Sequence, residues 1–276
     1  MVALKEVVEM SKYNLSYRQL LSLSVGLALG TCVTSAVWAG ATTDGTMGAV
    51  DTFSGDFVIP DTIGKTVDQN LFHSFNDFSI NAGESATFTG PDAINNVITR
   101  VTGNEASVFN GALISQIGSA DFYFINPNGV IFKENAAITV DGSFYATTAD
   151  YVNLGQNGVV FADPNAASVF TSAPPSAFGF LDSNPGQIAL EGTLLFKDVN
   201  LFMPDGATFG LIGGDITLSN SPTFDLNLFG APFTFISMTG RSFEAVSVAS
   251  AGDVVISNNG YDLTSFDSLG EVRLAG

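Results

Sequence analysis

One cysteine, one histidine and nine cations in a chain of 276 residues exclude a good deal of chemistry. The lone cysteine, Cys32, has no intrachain disulfide partner, and it lies in a stretch that reads as removable. The lone histidine, His73, sits in LFHSF among Leu71, Phe72 and Phe75. A Ser-His-Asp triad or a histidine metal site would rest on it entirely, and its apolar setting reads instead as a packed, hydrogen-bonded structural residue. Nine Lys and Arg against 27 Asp and Glu give a formal charge of −18. That leaves too few cations to displace the counterions of a nucleic acid, and the sign is wrong for an anionic membrane surface. Gly-rich loops with phosphate-binding spacing, Asp-x-Asp-x-Asp calcium loops and long helix-forming segments are all missing. No cofactor, metal or catalytic set is expected, and βαβ crossovers are disfavoured.

The N-terminus carries one feature of its own. Residues 20–33, LLSLSVGLALGTCV, form an apolar run preceded by Lys12 and Arg18. It is followed by small-residue cleavage options at Val37-Trp38-Ala39 and Ala39-Gly40-Ala41. The run is too short to span a bilayer and reads as a secretory signal peptide, handled by the Sec translocon. Glu6 and Glu9 fit such a leader poorly, and Met10 offers an alternative start. Thr31 before Cys32 argues against a lipoprotein site. Residues 40–276 then form the exported domain, with no cysteine, 6 basic and 25 acidic residues. A domain of that kind depends on packing and backbone hydrogen bonds for its stability.

What is abundant points to strands. The chain is 46% hydrophobic with 24 Phe and 29 Gly, while charged residues are 13%, about half the usual share of roughly 25%. A pattern of Gly, polar, Ile or Val, any residue, Leu or Ile recurs as GQIAL (Gly186–Leu190), GDITL (Gly214–Leu218), GDVVI (Gly252–Ile256) and GEVRL (Gly270–Leu274). The spacing is too uneven for a strict repeat and suits a coil of strands whose turns carry insertions on one side. A β-sandwich would also give short strands. The continuously apolar runs FYFI, GVIF and GVVF and the scarcity of Asn-Gly hairpin signals favour a parallel β-helix of about ten turns. Residues 50–80 are expected to cap the first turns, and the Pro-rich stretch from Pro164 to Pro185 to form a loop or excursion. GEVRLAG at the end reads as one more strand, so the chain is expected to be the N-terminal part of a longer exoprotein.

The most informative stretch is FYFINPNGVIF, residues 122–132. Asn126 suits the first position of a type I turn, Pro127 the second and Gly129 the fourth. A two-residue hairpin needs positive φ at both central residues, which Pro127 cannot adopt, so the chain should turn a corner here. Asp121, Lys133 and Asp141 flank the motif, but nothing in their spacing requires them to converge. Arg100, the one cation in the strand-like NNVITRVTG, reads either as a surface residue paired with an acidic neighbour or as a partner contact.

The segments LFHSFNDFSI (71–80), ATFTGPDAINNVITRVTGNEASVFNGALIS (86–115) and ADFYFINPNGVIF (120–132) resemble, in order and spacing, the N-terminal secretion domain of filamentous-haemagglutinin-type exoproteins, exported by two-partner secretion. ITVDGSFYATTADY (138–151), GLIGGDITLS (210–219) and VSVASAGDVVIS (246–257) are similar to its later turns. The resemblance implies a right-handed parallel β-helix, an all-β solenoid with N-terminal capping strands. It also implies recognition by the periplasmic polypeptide-binding repeats of a dedicated outer-membrane β-barrel transporter, with release to the cell surface or medium. The family's Asn-Pro-Asn-Gly-Ile-like motif maps onto Asn126, Pro127, Asn128 and Gly129, with Val130 in place of Ile. Its other hallmark, Asn-Pro-Asn-Leu, is replaced here by TGPDAINN (89–96). An adhesive β-helix that binds host or cell-surface ligands is the alternative, and a β-helical polysaccharide-active enzyme a more distant one.

Overall fold

Residues 40–191, 201–219, 226–229, 233–236, 242–257 and 260–275 are described by a computed structural model. The chain divides into residues 1–38 and 39–276, and all described residues belong to the second unit. The leader, its cleavage options and Cys32 lie outside the described residues.

Three parallel sheets wind around one apolar interior. The first pairs β5 (Asn70–Ser79), β7 (Asn96–Val101), β10 (Asp121–Ile125), β13 (Phe144–Thr147), β19 (Thr208–Gly213) and β23 (Ser242–Ser247). The second pairs β8 (Ser107–Phe109), β11 (Val130–Phe132), β17 (Ile188–Glu191), β20 (Ile216–Ser219) and β26 (Glu271–Ala275). The third pairs β3 (Phe57–Pro60), β6 (Ser85–Thr89), β9 (Ala112–Gln116), β12 (Ala137–Thr139) and β18 (Leu201–Phe202). The chain visits first, second and third sheet and returns, so each strand pairs with its counterpart one turn on. This is a parallel β-helix.

Register explains the core. Inward positions in aligned parallel strands repeat at the strand spacing of roughly 4.8 Å, so like residues stack on like. Phe122, Phe144, Phe209 and Phe243 form such a ladder, with centroids 5.8, 5.6 and 6.0 Å apart and rings within 20° of parallel. Phe109 and Phe132 do the same on the second sheet at 5.1 Å.

Both edges of the first sheet and one edge of the second are closed by antiparallel strands, which saturate backbone groups that a parallel neighbour would otherwise meet. β1 (Gly40–Thr43), itself paired with β2 (Thr52–Phe53), and β4 (Lys65–Val67) both lie against β5. At the other end β21 (Leu226–Phe229) pairs with β26 and β22 (Phe233–Ile236) with β23. A fourth, antiparallel sheet orders β15 (Gly158–Phe161), β14 (Tyr151–Leu154), β16 (Pro175–Phe180), β24 (Gly252–Ser257) and β25 (Gly260–Asp262). It covers the outer face of the first sheet: Phe72, Ile98, Tyr123 and Ile125 share a second apolar cluster with Val152, Phe178, Phe180 and Val254.

Several expectations are revised. The described residues contain six first-sheet strands, not about ten turns, because 148–187 and 248–270 leave the coil to build the fourth sheet. GVVF and GDVVI belong to that outer sheet, as β15 and β24; GQIAL, GDITL and GEVRL are consecutive second-sheet strands. The cap begins at Gly40, before the expected residue 50, and β5 already forms the first turn. His73 is packed as expected, but neither ring nitrogen has a hydrogen-bond partner among the described residues. Its neighbours Phe75 and Phe88 offer none.

Candidate functional site

The Asn-Pro-Asn-Gly stretch joins β10 of the first sheet to β11 of the second, a corner and not a hairpin. Gly129 N donates to Asn126 O at 3.1 Å, closing the four-residue turn that Pro127 presets. Gly129 has φ 124°, a conformation that glycine adopts freely. The Asn126 side chain accepts from Asn128 N at 3.0 Å, an Asx turn, and donates to Glu105 O at 3.0 Å and Ser107 Oγ at 2.9 Å. Its own amide donates to Thr147 O at 2.9 Å. Asn126 is fully buried, and the corner is thereby bonded to the turns before and after it. Asn128 is exposed but donates to Gly103 O at 2.7 Å.

The same corner recurs with other polar residues. In first-sheet register Asn126 is followed by Thr148, Gly213 and Ser247. Thr148 Oγ1 donates to Gly186 O at 2.8 Å, and Ser247 Oγ to Gly214 O at 2.8 Å. The Gly that opens each second-sheet repeat lies in this stack for a steric reason. A Cβ on Gly186 would fall 2.2 Å from Pro127 O, and one on Gly214 would fall 2.3 Å from Pro185 O. Ser107, Thr148 and Ser247 were not singled out from the sequence. A hydroxyl at or next to a strand end is the signal that could have found them.

Beside the corner runs a groove of 760 Å³, lined by Pro127, Asn128, Gly186, Gln187, Glu191 and Asp215 among others. Glu191 pairs with Lys133, and Asp215 accepts from Glu271 N at 3.0 Å. Its polar surface is amide, backbone and carboxylate, suited to hydrogen bonding. Among the described residues no three His, Cys, Asp or Glu are placed to hold a metal. Asp121, Lys133 and Asp141 are not brought into contact: Asp121 accepts from Ser143 N at 2.7 Å on the outer face of the first sheet.

Arg100 is not at the surface. It is 3% exposed and donates to Ser74 Oγ at 2.7 Å, Phe161 O at 2.6 Å and Thr46 Oγ1 at 2.9 Å. It thus ties the first sheet to the cap loop and to the outer sheet. Burial lowers its pKa, opposed by Asp44 and Asp163. Burial alone would raise the Asp44 carboxyl, but hydrogen bonds from Ser74, Thr46 and Thr102 outweigh it and hold the pKa below the usual value. At the replaced hallmark, Ile94 N donates to Pro91 O at 3.2 Å, so TGPDAINN also supplies a corner, from the third sheet to the first.

The fold is a parallel β-helix with an N-terminal cap and a lateral antiparallel sheet, and the comparisons make the class specific. The family described as the TPS secretion domain matches residues 39–272, and the chain belongs to that family. That family is the secretion domain of two-partner-secreted exoproteins. A curated relative, the heme/hemopexin-binding protein of Haemophilus influenzae (strain ATCC 51907 / DSM 11121 / KW20 / Rd), is 38% identical over 105 residues. The match covers 35% of this chain and 11% of that protein, so the chain spans a small part of its relative's length.

Proposed function

We propose that the transporter reads this domain as an unfolded chain, through its periplasmic repeats, and that the Asn126–Gly129 corner is part of what is read. The observation that carries this is the burial of Asn126: in the folded domain all its polar atoms are engaged, so a receptor can reach them only before folding. Arg100 is in the same position.

The physics is favourable. A β-helix forms from non-local pairings and folds slowly, which lets an exported chain stay extended in the periplasm. An extended chain adds a strand to a receptor's sheet edge through main-chain hydrogen bonds, with side chains such as Asn126 and Asn128 giving selectivity. Without cysteine, residues 40–276 have no disulfide to lock before threading a pore. Folding outside then opposes return. Residues 1–39 act as the leader that brings the chain to the periplasm through the Sec translocon. The domain is a recognition and folding module with no catalytic role of its own.

The test is secretion of residues 40–276 behind residues 1–39, with and without the cognate transporter. Folded protein should appear in the medium only when the transporter is present. Equal release without it would sink the reading, and binding to host or cell-surface ligands would become the next question.

A further inference from the structure

β5 is covered on its cap side by two separate strands. β4 pairs with Asn70, Leu71 and Phe72, and β1 pairs from Phe75 to Ser79. His73 and Ser74 fall in the gap between them. Ser74 is held on the outer face by Arg100 and Asp44. His73 packs inward at 1% exposure, edge-on to Phe88 at 5.4 Å and stacked with Phe75 at 6.3 Å.

The wall behind the ring is Gly64, which joins the 3-10 turn Asp61–Ile63 to β4. A Cβ there would lie 2.6 Å from Phe72 O and 2.9 Å from the His73 ring. His73 Nδ1 and Nε2 are both without a hydrogen-bond partner among the described residues. So is Thr99 Oγ1, opposite His73 in register on β7. Buried polar atoms are nearly always satisfied, so three unpartnered ones at a single register position call for a reason.

We infer that His73 makes the N-terminal cap acid-sensitive: its protonation unseats residues 61–67 from β5 while the coil from β10 onward stays folded. A cation in this position has one neutral hydroxyl beside it and no anion. The charged groups on the elements packed around it are engaged elsewhere. Lys65 of β4 lies over the Phe170 ring at 4.3 Å, and Arg100 of β7 is bonded on the outer face. Asp77 of β5 accepts from Asn76, and Glu84, ahead of β6, faces Asn81 N. Asp61 stands on the turn itself, and β1, β3 and β6 carry no charged residue. Burial is accordingly the one cause acting on His73, lowering its pKa to about 4.

A protonated ring must reach water. The way through the Phe interior is closed by Phe75, Phe88 and Phe122, packed edge to face, whereas the way past Gly64 requires only the short turn and three strand pairs of β4 to lift. Opening there frees the β5 backbone at Asn70–Phe72 for another strand.

His73 is the only histidine in the chain, so its Cε1–H NMR signal is unambiguous. The experiment follows that signal from pH 8 to 4 on the purified chain, alongside hydrogen exchange corrected for intrinsic rate at pH 7 and 4.5. Peptides spanning residues 57–73 should open on the order of fifty-fold more often at pH 4.5, with 121–147 unchanged, and the signal should titrate as the cap opens. In His73→Leu the pH effect on residues 57–73 should vanish; His73→Gln serves the same purpose if leucine is not accommodated. A midpoint near 6.5 with the cap still protected would overturn the inference, as would equal opening in either variant.

Discussion

The interior of the coil and the layer outside its first sheet are two apolar cores built on different rules. Inside, parallel register repeats one residue type turn after turn, as in Phe122, Phe144, Phe209 and Phe243, and volume alone holds the stack. Outside, antiparallel strands from distant excursions are fixed to one another and to the coil by individual polar bonds. Arg100 reaches Phe161 O, and Asn70 Nδ2 donates to Thr171 O and Ala173 O, each at 2.8 Å. Tyr151 donates to Asp253 at 2.9 Å and Tyr261 to Glu244 at 2.6 Å. Both phenols have raised pKa values, from burial first and the carboxylate second, Tyr151 to about 12. A periodic core tolerates few polar atoms; a docked layer needs them to set where it sits.

That contrast can be broken in order of effect. Phe144→Ala removes a ring from the middle of the inner ladder and should cost about 3–5 kcal/mol in urea denaturation. A loss below about 1 kcal/mol would mean that the ladder is not what holds the coil.

Next is acid. His73 is held neutral, with its pKa lowered from 6.5 to about 4. Its site therefore favours the fold fully above pH 6.5 and loses that contribution as pH falls, by up to about 3 kcal/mol below pH 4. The difference in urea midpoint between wild type and His73→Leu, followed from pH 7.5 to 4, reads this term apart from the carboxylates.

Arg100→Met should cost about 2 kcal/mol, since it leaves Phe161 O without a partner and Asp44 without its nearby cation. Hydrogen exchange should rise in 151–180 and 40–53 and stay low in 121–132. Loss of protection throughout would place Arg100 in the coil's own stability. Tyr151→Phe removes one bond of the outer layer and should cost about 1 kcal/mol. The same loss in an Asp253→Asn background would show that the two groups are not coupled.

The sequence disclosed these two regions unequally. The corner was legible because Asn-Pro-Asn-Gly specifies a turn by local chemistry alone, and the Gly-opened repeats because stacking forbids a side chain at Gly186 and Gly214. The outer sheet was not legible. GVVF and GVIF share composition and alternation, and only pairing decides that Val160 packs outside the coil and Val130 inside. Arg100 misled for a related reason. Its three acceptors lie 26, 54 and 61 residues away, beyond any spacing rule.

The central claim is that the Asn126 corner serves recognition before folding and structure after it. The most direct measurement compares binding of the transporter's periplasmic repeats to the folded domain and to the same chain freshly diluted from urea, as wild type and as Asn126→Ala. The account predicts binding of the unfolded wild type, weaker binding of unfolded Asn126→Ala and none by the folded domain. Equal binding of folded and unfolded chain would contradict it.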